Sequence, residues 1–254
     1  MNSFTPGEIM VTRAAKELKN GEVVFVGIGL PNLACNLARR LQAPDLVLIY
    51  ESGAVGAVPT RLPLSIGDPC LVTDSISVCS MVEAFYYYLQ GGMIDVGFLG
   101  GAQVDRFGNI NSTVIGKYGK PKVRLPGSGG ACEISIHSKK IIVILKQNKK
   151  NLPKKIDFIT SPGYVDAGNL RNEYDMPGKG PVLVITDLGV YTFTADTHEM
   201  ILTEIHPGVQ LRTVKENTGW EVKISENLKK TMAPSLEEMR IIRENLDPDK
   251  IYLR

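Results

Sequence analysis

The sequence predicts an α/β protein built on a mostly parallel central sheet with helices on both faces. Three observations carry this reading. Short β-branched or apolar runs alternate with amphipathic helical stretches from the start of the chain. The runs at 46–50, 140–145 and 182–185 are apolar, save Lys140 at the start of the second, rather than alternating, as strands buried on both faces are. Glycine-bearing loops at 27–31, 51–59 and 100–111 follow strand-like runs, at the strand ends where open α/β sheets place ligands.

The elements follow in order. Residues 10–19 carry Met10, Ala14, Ala15 and Leu18 at helical spacing, and Asn20-Gly21 marks the helix end. A β-branched run at 22–26 predicts a strand that enters the loop Gly27-Ile28-Gly29-Leu30-Pro31. Residues 32–41 read as a helix with Leu33, Leu37 and Leu41 on one stripe. The strand at 46–50 stops abruptly at Glu51-Ser52-Gly53. This order implies a βαβ crossover and hence parallel neighbours. A helix at 80–90 and strands at 96–99, 140–145 and 182–185 continue the pattern. A closing helix spans 235–245, where Ser235 and Glu238 form a capping-box signature and Pro248 lies just beyond. With no linker, repeat or low-complexity stretch, residues 1–254 read as a single domain.

Composition narrows the function. The chain has 254 residues, 43% hydrophobic and 22% charged, with a net charge of +2, so no strong field toward nucleic acid or an anionic membrane is expected. Lys149-Lys150 and Lys154-Lys155 read as a solvated turn. The stretch 1–8 lacks a basic-then-apolar leader pattern, and no apolar run reaches the ~18 residues that span a bilayer. Cys35, Cys70, Cys79 and Cys132 form no CxxC pair and have no histidine at metal-ligand spacing, so reduced thiols in a cytoplasmic protein without metal are expected.

Four constellations are candidates for chemistry. Glu51 follows the buried strand directly, and small residues after it leave room for a ligand; the competing reading is a loop carboxylate that caps a helix starting near Ser52. Gly27 and Gly29 form half of a dinucleotide fingerprint whose third glycine is replaced by Asn32, so either a substrate-lining loop or a tight turn fits. Asn109 and Asn111 flank Ile110 and point to one face, where they either donate to a carbonyl or satisfy a turn. The Gly127-Ser128-Gly129-Gly130-Ala131 run offers backbone N–H groups to an oxyanion, or makes a flexible turn. His137, His198 and His206 lie far apart without a serine or aspartate pattern, and Ser52 is in no nucleophile elbow, which argues against a Ser-His-Asp hydrolase.

Taken together and in this order, the motifs resemble the class I coenzyme A transferases, the β subunit of the glutaconate type above all. The likeness rests on VGIGLP at 26–31, ESG at 51–53, GGAQVDRFGNINST at 100–113 and KVRLPGSGGA at 122–131. It continues through IDFITSPGYVD at 156–166, VLVITDLGVYTF at 182–193, HPG at 206–208, ENTGWEVKIS at 216–225 and IIRENLDP at 241–248. The resemblance implies a three-layer α/β fold and an α-subunit partner that completes the active site, in an α2β2 or higher assembly. It implies coenzyme A as substrate, with no permanently bound cofactor. Glu51 becomes the nucleophile, and Gly129, Gly130 and Ala131 become backbone donors near the thioester carbonyl, with Asn109, Asn111, Gly27 and Gly29 around the substrate. The stretch Ala54-Val55-Gly56-Ala57-Val58-Pro59 departs from the glutaconate pattern, which leaves the acid open between dicarboxylic and 3-oxo acids. Rival expectations are an acyl-CoA decarboxylase or ring-opening hydrolase subunit on the same fold, a nicotinamide-dependent oxidoreductase and a non-catalytic sensor of CoA esters or sugar phosphates.

Overall fold

The structure is a computed structural model and describes residues 3–59, 61–167 and 170–253. Met1 and Asn2, part of the N-terminal stretch read above, lie outside the described residues. The chain divides into two compact units, residues 1–98 with 232–254 and residues 99–231. The expectation of one domain over 1–254 thus meets a chain whose first unit is assembled from both of its ends.

Helix α1 (Pro6–Ala15) opens the first unit. It starts before the first apolar position of the predicted helix because Thr5 and Glu8 cap it reciprocally and Pro6 supplies a fixed φ at the first position. Its first turn is polar, so apolar periodicity does not register it. Strand β1 (Val23–Phe25), helix α2 (Leu30–Arg40) and strand β2 (Val47–Ile49) then form the expected crossover, with Val24 beside Leu48 in parallel register. Strands β3 (Ala54–Val55) and β4 (Ser77–Val78) extend the sheet antiparallel beyond β2. Helix α3 (Glu83–Leu89) is wound wide: the Gln90 N–H reaches back to the carbonyl of Phe85. Strand β5 (Val96–Leu99) returns parallel to β1, giving the order β5-β1-β2-β3-β4 in this unit. Val24, Leu33, Leu37 and Leu48 are fully buried between sheet and helix.

The C-terminal segment completes this unit. Ser235 and Glu238 make the predicted capping box for the helix Leu236–Arg240, which continues as a wider turn over Ile241–Leu246. Arg243 grips Glu8 of α1 through Nε at 2.5 Å and Nη2 at 3.0 Å, and Lys16 meets Glu238 at 3.1 Å.

The second unit begins with two hairpins, β6 (Gln103–Val104) with β7 (Ile110–Asn111), and β8 (Val114–Lys117) with β9 (Lys120–Arg124). Helix α4 (Ala131–His137) leads into β10 (Lys140–Ile144). After the short helix α5 (Leu170–Glu173) come β11 (Pro181–Ile185), β12 (Gly189–Phe193) and β13 (Met200–Ile205), then α6 (Leu211–Glu216) and β14 (Lys223–Lys230). The order here is β14-β13-β12-β11-β10; β10 and β11 run parallel, as do β13 and β14, while β12 is antiparallel to both neighbours. The reversal at 186–189 is made by Thr186, whose hydroxyl oxygen accepts from the Gly189 N–H at 3.0 Å.

A buried polar network backs this sheet. Gln147 donates to the Tyr191 hydroxyl at 2.7 Å and to Thr218, and accepts from Thr186. His206 sits beside them with both ring nitrogens engaged, by Thr231 at 2.9 Å and the Thr186 carbonyl at 2.7 Å. His198 stacks on Tyr164 at 4.5 Å and His137 lies 3.3 Å from Glu133, so each histidine has a structural partner. The α/β class holds: β5, β1 and β2 run parallel in the first unit, and β10 runs parallel to β11 in the second.

Candidate active site

The sharpest sequence feature occupies the sharpest turn of the first unit. Glu51 and Ser52 form the tip of the β2–β3 hairpin. The Gly53 N–H donates to the Tyr50 carbonyl at 2.9 Å, and the Tyr50 N–H donates to the Ala54 carbonyl at 3.0 Å. This is a three-residue hairpin loop, the form that takes a left-handed residue at its third place. Gly53 fills that place with φ +96°. A β-carbon there would lie 1.8 Å from the Cys79 carbonyl oxygen, because β4 is strapped across the turn by the Cys79 N–H and thiol, both donating to the Gly53 carbonyl. The helix near Ser52 that would have made Glu51 a capping residue is not there: residues 54–55 are strand β3. Glu51 itself is half-buried, between buried Tyr50 and exposed Ser52.

The loop at 27–31 leaves β1 beside this hairpin, since β1 and β2 are parallel neighbours. Gly29 has φ +94° and sits at the N-terminus of α2. One helical turn links the two loops: buried Asn32 donates from Nδ2 to the Tyr50 hydroxyl at 2.7 Å, while Asn36 donates to Asn32 Oδ1 at 3.1 Å. Burial pushes the Tyr50 phenol up, so it stays neutral. Further along α2, Arg39 donates to the Ala57 carbonyl at 2.6 Å and holds the far end of the hairpin. The sequence reading noticed position 32 only as a missing glycine; a buried amide in the first turn of a helix is the signal that marks it.

The remaining candidates lie in the second unit. Asn109 and Asn111 are wholly buried and their amides are committed to the loop that carries them. Asn109 donates to the Asp105 carboxylate and the Val165 carbonyl, and its Oδ1 accepts from Gly163 and Val165. Burial pushes the Asp105 carboxyl up, against the pull of these hydrogen bonds. Asn111 donates to Gln103 and the Val114 carbonyl, and accepts from Thr113 and Val114. This is the turn-building role, and it leaves neither amide aimed at a ligand.

The Gly127–Ala131 loop is tied to the same turn by Ser112, whose hydroxyl donates to the Gly127 carbonyl at 2.8 Å while its own carbonyl accepts from the Gly127 N–H at 2.9 Å. The Ala131 N–H, expected as a donor to substrate, is directed instead at the Ser128 carbonyl at 2.8 Å. Gly129, at φ +47°, and Gly130 have N–H groups without a hydrogen bond among the described residues. The backbone donors on offer therefore narrow from three to two. Glu51, Gly27 and Gly29 thus share the first unit, and Asn109, Asn111 and the Gly129–Ala131 loop share the second.

Among the described residues there is no group of three His, Cys, Asp or Glu side chains able to hold a metal, and no helix is long and apolar enough to cross a membrane. All four cysteines are free thiols.

The chain matches known proteins in both sequence and structure. A family model described as Coenzyme A transferase matches residues 8–217. The chain is 54% identical over 243 residues to one subunit of the 3-oxoadipate CoA-transferase of Pseudomonas knackmussii, covering 96% of this chain and 94% of that one. The crystal structure of glutaconate coenzyme A-transferase from Acidaminococcus fermentans superposes with a TM-score of 0.93 at 34% identity, over 99% of this chain and 98% of the other. A decarboxylase, AibA/AibB, superposes with a TM-score of 0.85 at 26% identity over 98% of each chain.

Proposed function

The chain belongs to the coenzyme A transferase family, and on that premise we propose that it is the β subunit of an enzyme that moves coenzyme A from an acyl-CoA to a dicarboxylic 3-oxo acid. The acid class follows the likeness to the 3-oxoadipate relative, which exceeds the likeness to the glutaconate enzyme. An α-type partner completes the site, in an α2β2 or higher assembly; the 3-oxoadipate relative, itself a single subunit of its enzyme, supports this. The four free thiols favour a reducing, cytoplasmic setting. We read the two units as one functional domain.

One observation carries the catalytic reading: a glutamate at the tip of a hairpin whose backbone is fixed by Gly53, Cys79 and the Asn32–Tyr50 pair. A solvated carboxylate is a weak nucleophile, and a fixed, partly dehydrated one is stronger. Glu51 attacks the thioester carbonyl, the C–S bond breaks, and an acyl-glutamyl anhydride forms with release of CoA thiolate. The thiolate then attacks the glutamyl carbonyl, freeing the first acid and leaving a glutamyl-CoA thioester. The acceptor acid reverses both steps. Thioester energy is conserved throughout, so the cycle balances without ATP. Charge moving onto the carbonyl oxygen needs fixed N–H dipoles, for which Gly129 and Gly130 are the candidates. Asn109 and Asn111 enter as the internal frame of the neighbouring turn.

With the partner co-expressed, Glu51→Ala is expected to abolish transfer, and borohydride added after acyl-CoA is expected to trap a reduced adduct at residue 51. Full transfer by the Ala variant would end this reading. A second reading, a decarboxylase subunit, is favoured by the AibA/AibB match; release of CO2 from an acyl-CoA that persists in Glu51→Ala would select it.

A further inference from the structure

Helix α3 is apolar on both of its faces. Inward, Ala84 and Leu89 are buried, and Phe85 packs on Phe25 with ring centroids 5.3 Å apart. Outward, where a surface helix carries polar residues, stand Val82, Tyr86 and Tyr87, exposed by 64%, 67% and 62%. Just ahead of the helix, Ile76, Val78 and Met81 are exposed by 75%, 60% and 60%. These six residues expose on the order of 700 Å², close to the roughly 800 Å² that each partner gives to a standard interface.

The face is held in place and stripped of charge. Val78 belongs to β4, the terminal strand of its sheet, and pairs with Ala54. From 75 to 94 the only charged residue is Glu83. Its carboxylate is turned to the Ser80 N–H at 2.7 Å, and the Ser80 hydroxyl accepts from the Glu83 N–H in return. Tyrosine and methionine with few charges are what the buried centre of a protein interface contains. A membrane surface would call for cations beside such a face, and no Lys or Arg occurs from 62 to 105. The unit is also acidic: it carries 10 Lys and Arg against 14 Asp and Glu, while residues 99–231 carry 19 against 13. A two-fold contact between copies of this face would therefore set acid against acid. A different chain, with Lys and Arg at its rim, meets neither obstacle.

The face adjoins Glu51 within the same unit. Cys79, next to Val78, donates its N–H and its thiol to the Gly53 carbonyl of the Glu51 hairpin. We propose that the outer face of β4 and α3 is where the α-type partner docks, an inference that rests on the partnership proposed above. A partner seated there lies against the strand that straps the hairpin, so one contact serves both assembly and the setting of the carboxylate.

The test uses the assembled enzyme. Tyr86 is replaced by photo-crosslinking benzoylphenylalanine, with Tyr174, exposed on the second unit, as the control position. Irradiation is expected to link position 86 to the partner and to leave position 174 unlinked. In sedimentation, Val82→Glu/Tyr86→Glu is expected to weaken assembly about 100-fold or more, and Tyr174→Glu to match wild type. The crosslink decides the matter even if the double variant fails to fold. Glu51→Ala is expected to assemble like wild type while transferring nothing, which separates failure here from failure of the Glu51 chemistry. A wild-type chain that stays alone beside its co-expressed partner would refute the partnership, and this docking face with it. No crosslink from position 86, a crosslink from it to a second copy of this chain, full assembly of the double variant, or binding to phosphatidylglycerol vesicles that the double variant loses would each overturn the assignment.

Discussion

The carboxylate at position 51 depends on the glycine at position 53. Any side chain there meets the Cys79 carbonyl oxygen and a backbone at φ +96°, so β4 must move away from the hairpin to admit it. Gly53→Ala is expected to cost about 2–3 kcal/mol of stability, read from urea midpoints. It is also expected to lower transfer about 100-fold, the order of effect that an ångström of misplacement has on a reacting group. Ser52→Ala, at an exposed position, is expected to stay within about 0.5 kcal/mol of wild type. Sequence alone located Glu51, because an apolar run that ends on a carboxylate is conspicuous. It could not distinguish a hairpin tip from a helix cap, because that choice is made by β4, more than twenty residues on. Asn109, Asn111 and Ala131 show the same limit. Their residue types suit ligand binding and turn building equally, and only the located partners separate the two.

At the scale of elements, the tie between α2 and β2 is the feature to probe. Tyr50→Phe would leave the buried Asn32 amide without its acceptor, and Asn32→Ala would leave the Tyr50 hydroxyl without its donor, each at an expected cost of about 1–3 kcal/mol. Denaturation of both singles and the double is expected to show the double variant less destabilised than the sum by about 0.5 kcal/mol or more; strict additivity would mean that the bond does not couple the elements. The strands were the most legible elements: 96–99 coincides with β5, and 140–145 and 182–185 differ from β10 and β11 by a residue. Helix starts were less so where a polar cap and a proline precede the apolar stripe, as in α1. The antiparallel β12 was missed because the sequence reading ended the strand at 185 and did not weigh Thr186-Asp187-Leu188-Gly189 as a turn into a second strand.

For the molecule as a whole, total charge and chain order both mislead when read linearly. The +2 net charge concealed opposite signs in the two units, because the partition depends on residues 232–254 returning to the first. That return is sealed by Glu8 and Arg243. Burial alone would raise the Glu8 carboxyl, but the Arg243 and Thr5 hydrogen bonds and the nearby guanidinium together hold it below the usual glutamate range. A lowered folded-state pKa gives stability that is full above the unfolded glutamate pKa of about 4.3 and is lost as pH falls below it. Arg243→Ala is therefore expected to lower stability at pH 7 by about 1–2 kcal/mol, a figure held down by the exposure of Arg243. The gap to wild type is expected to narrow as pH falls through about 4, followed by urea titration across that range. A gap that widens on acidification would contradict the pairing.

The same pairing sets an order of manufacture. Glu8 leaves the ribosome 235 positions ahead of its partner Arg243. The middle of the chain, 99–231, has all of its own strands in hand by the time residue 231 emerges. The opening 98 residues must wait, with Glu8 lacking Arg243 and α2 lacking its C-terminal neighbour, until residues 241–246 arrive. Synthesis runs from the N-terminus, but completion of this fold runs the other way, and its beginning is the last part to be finished.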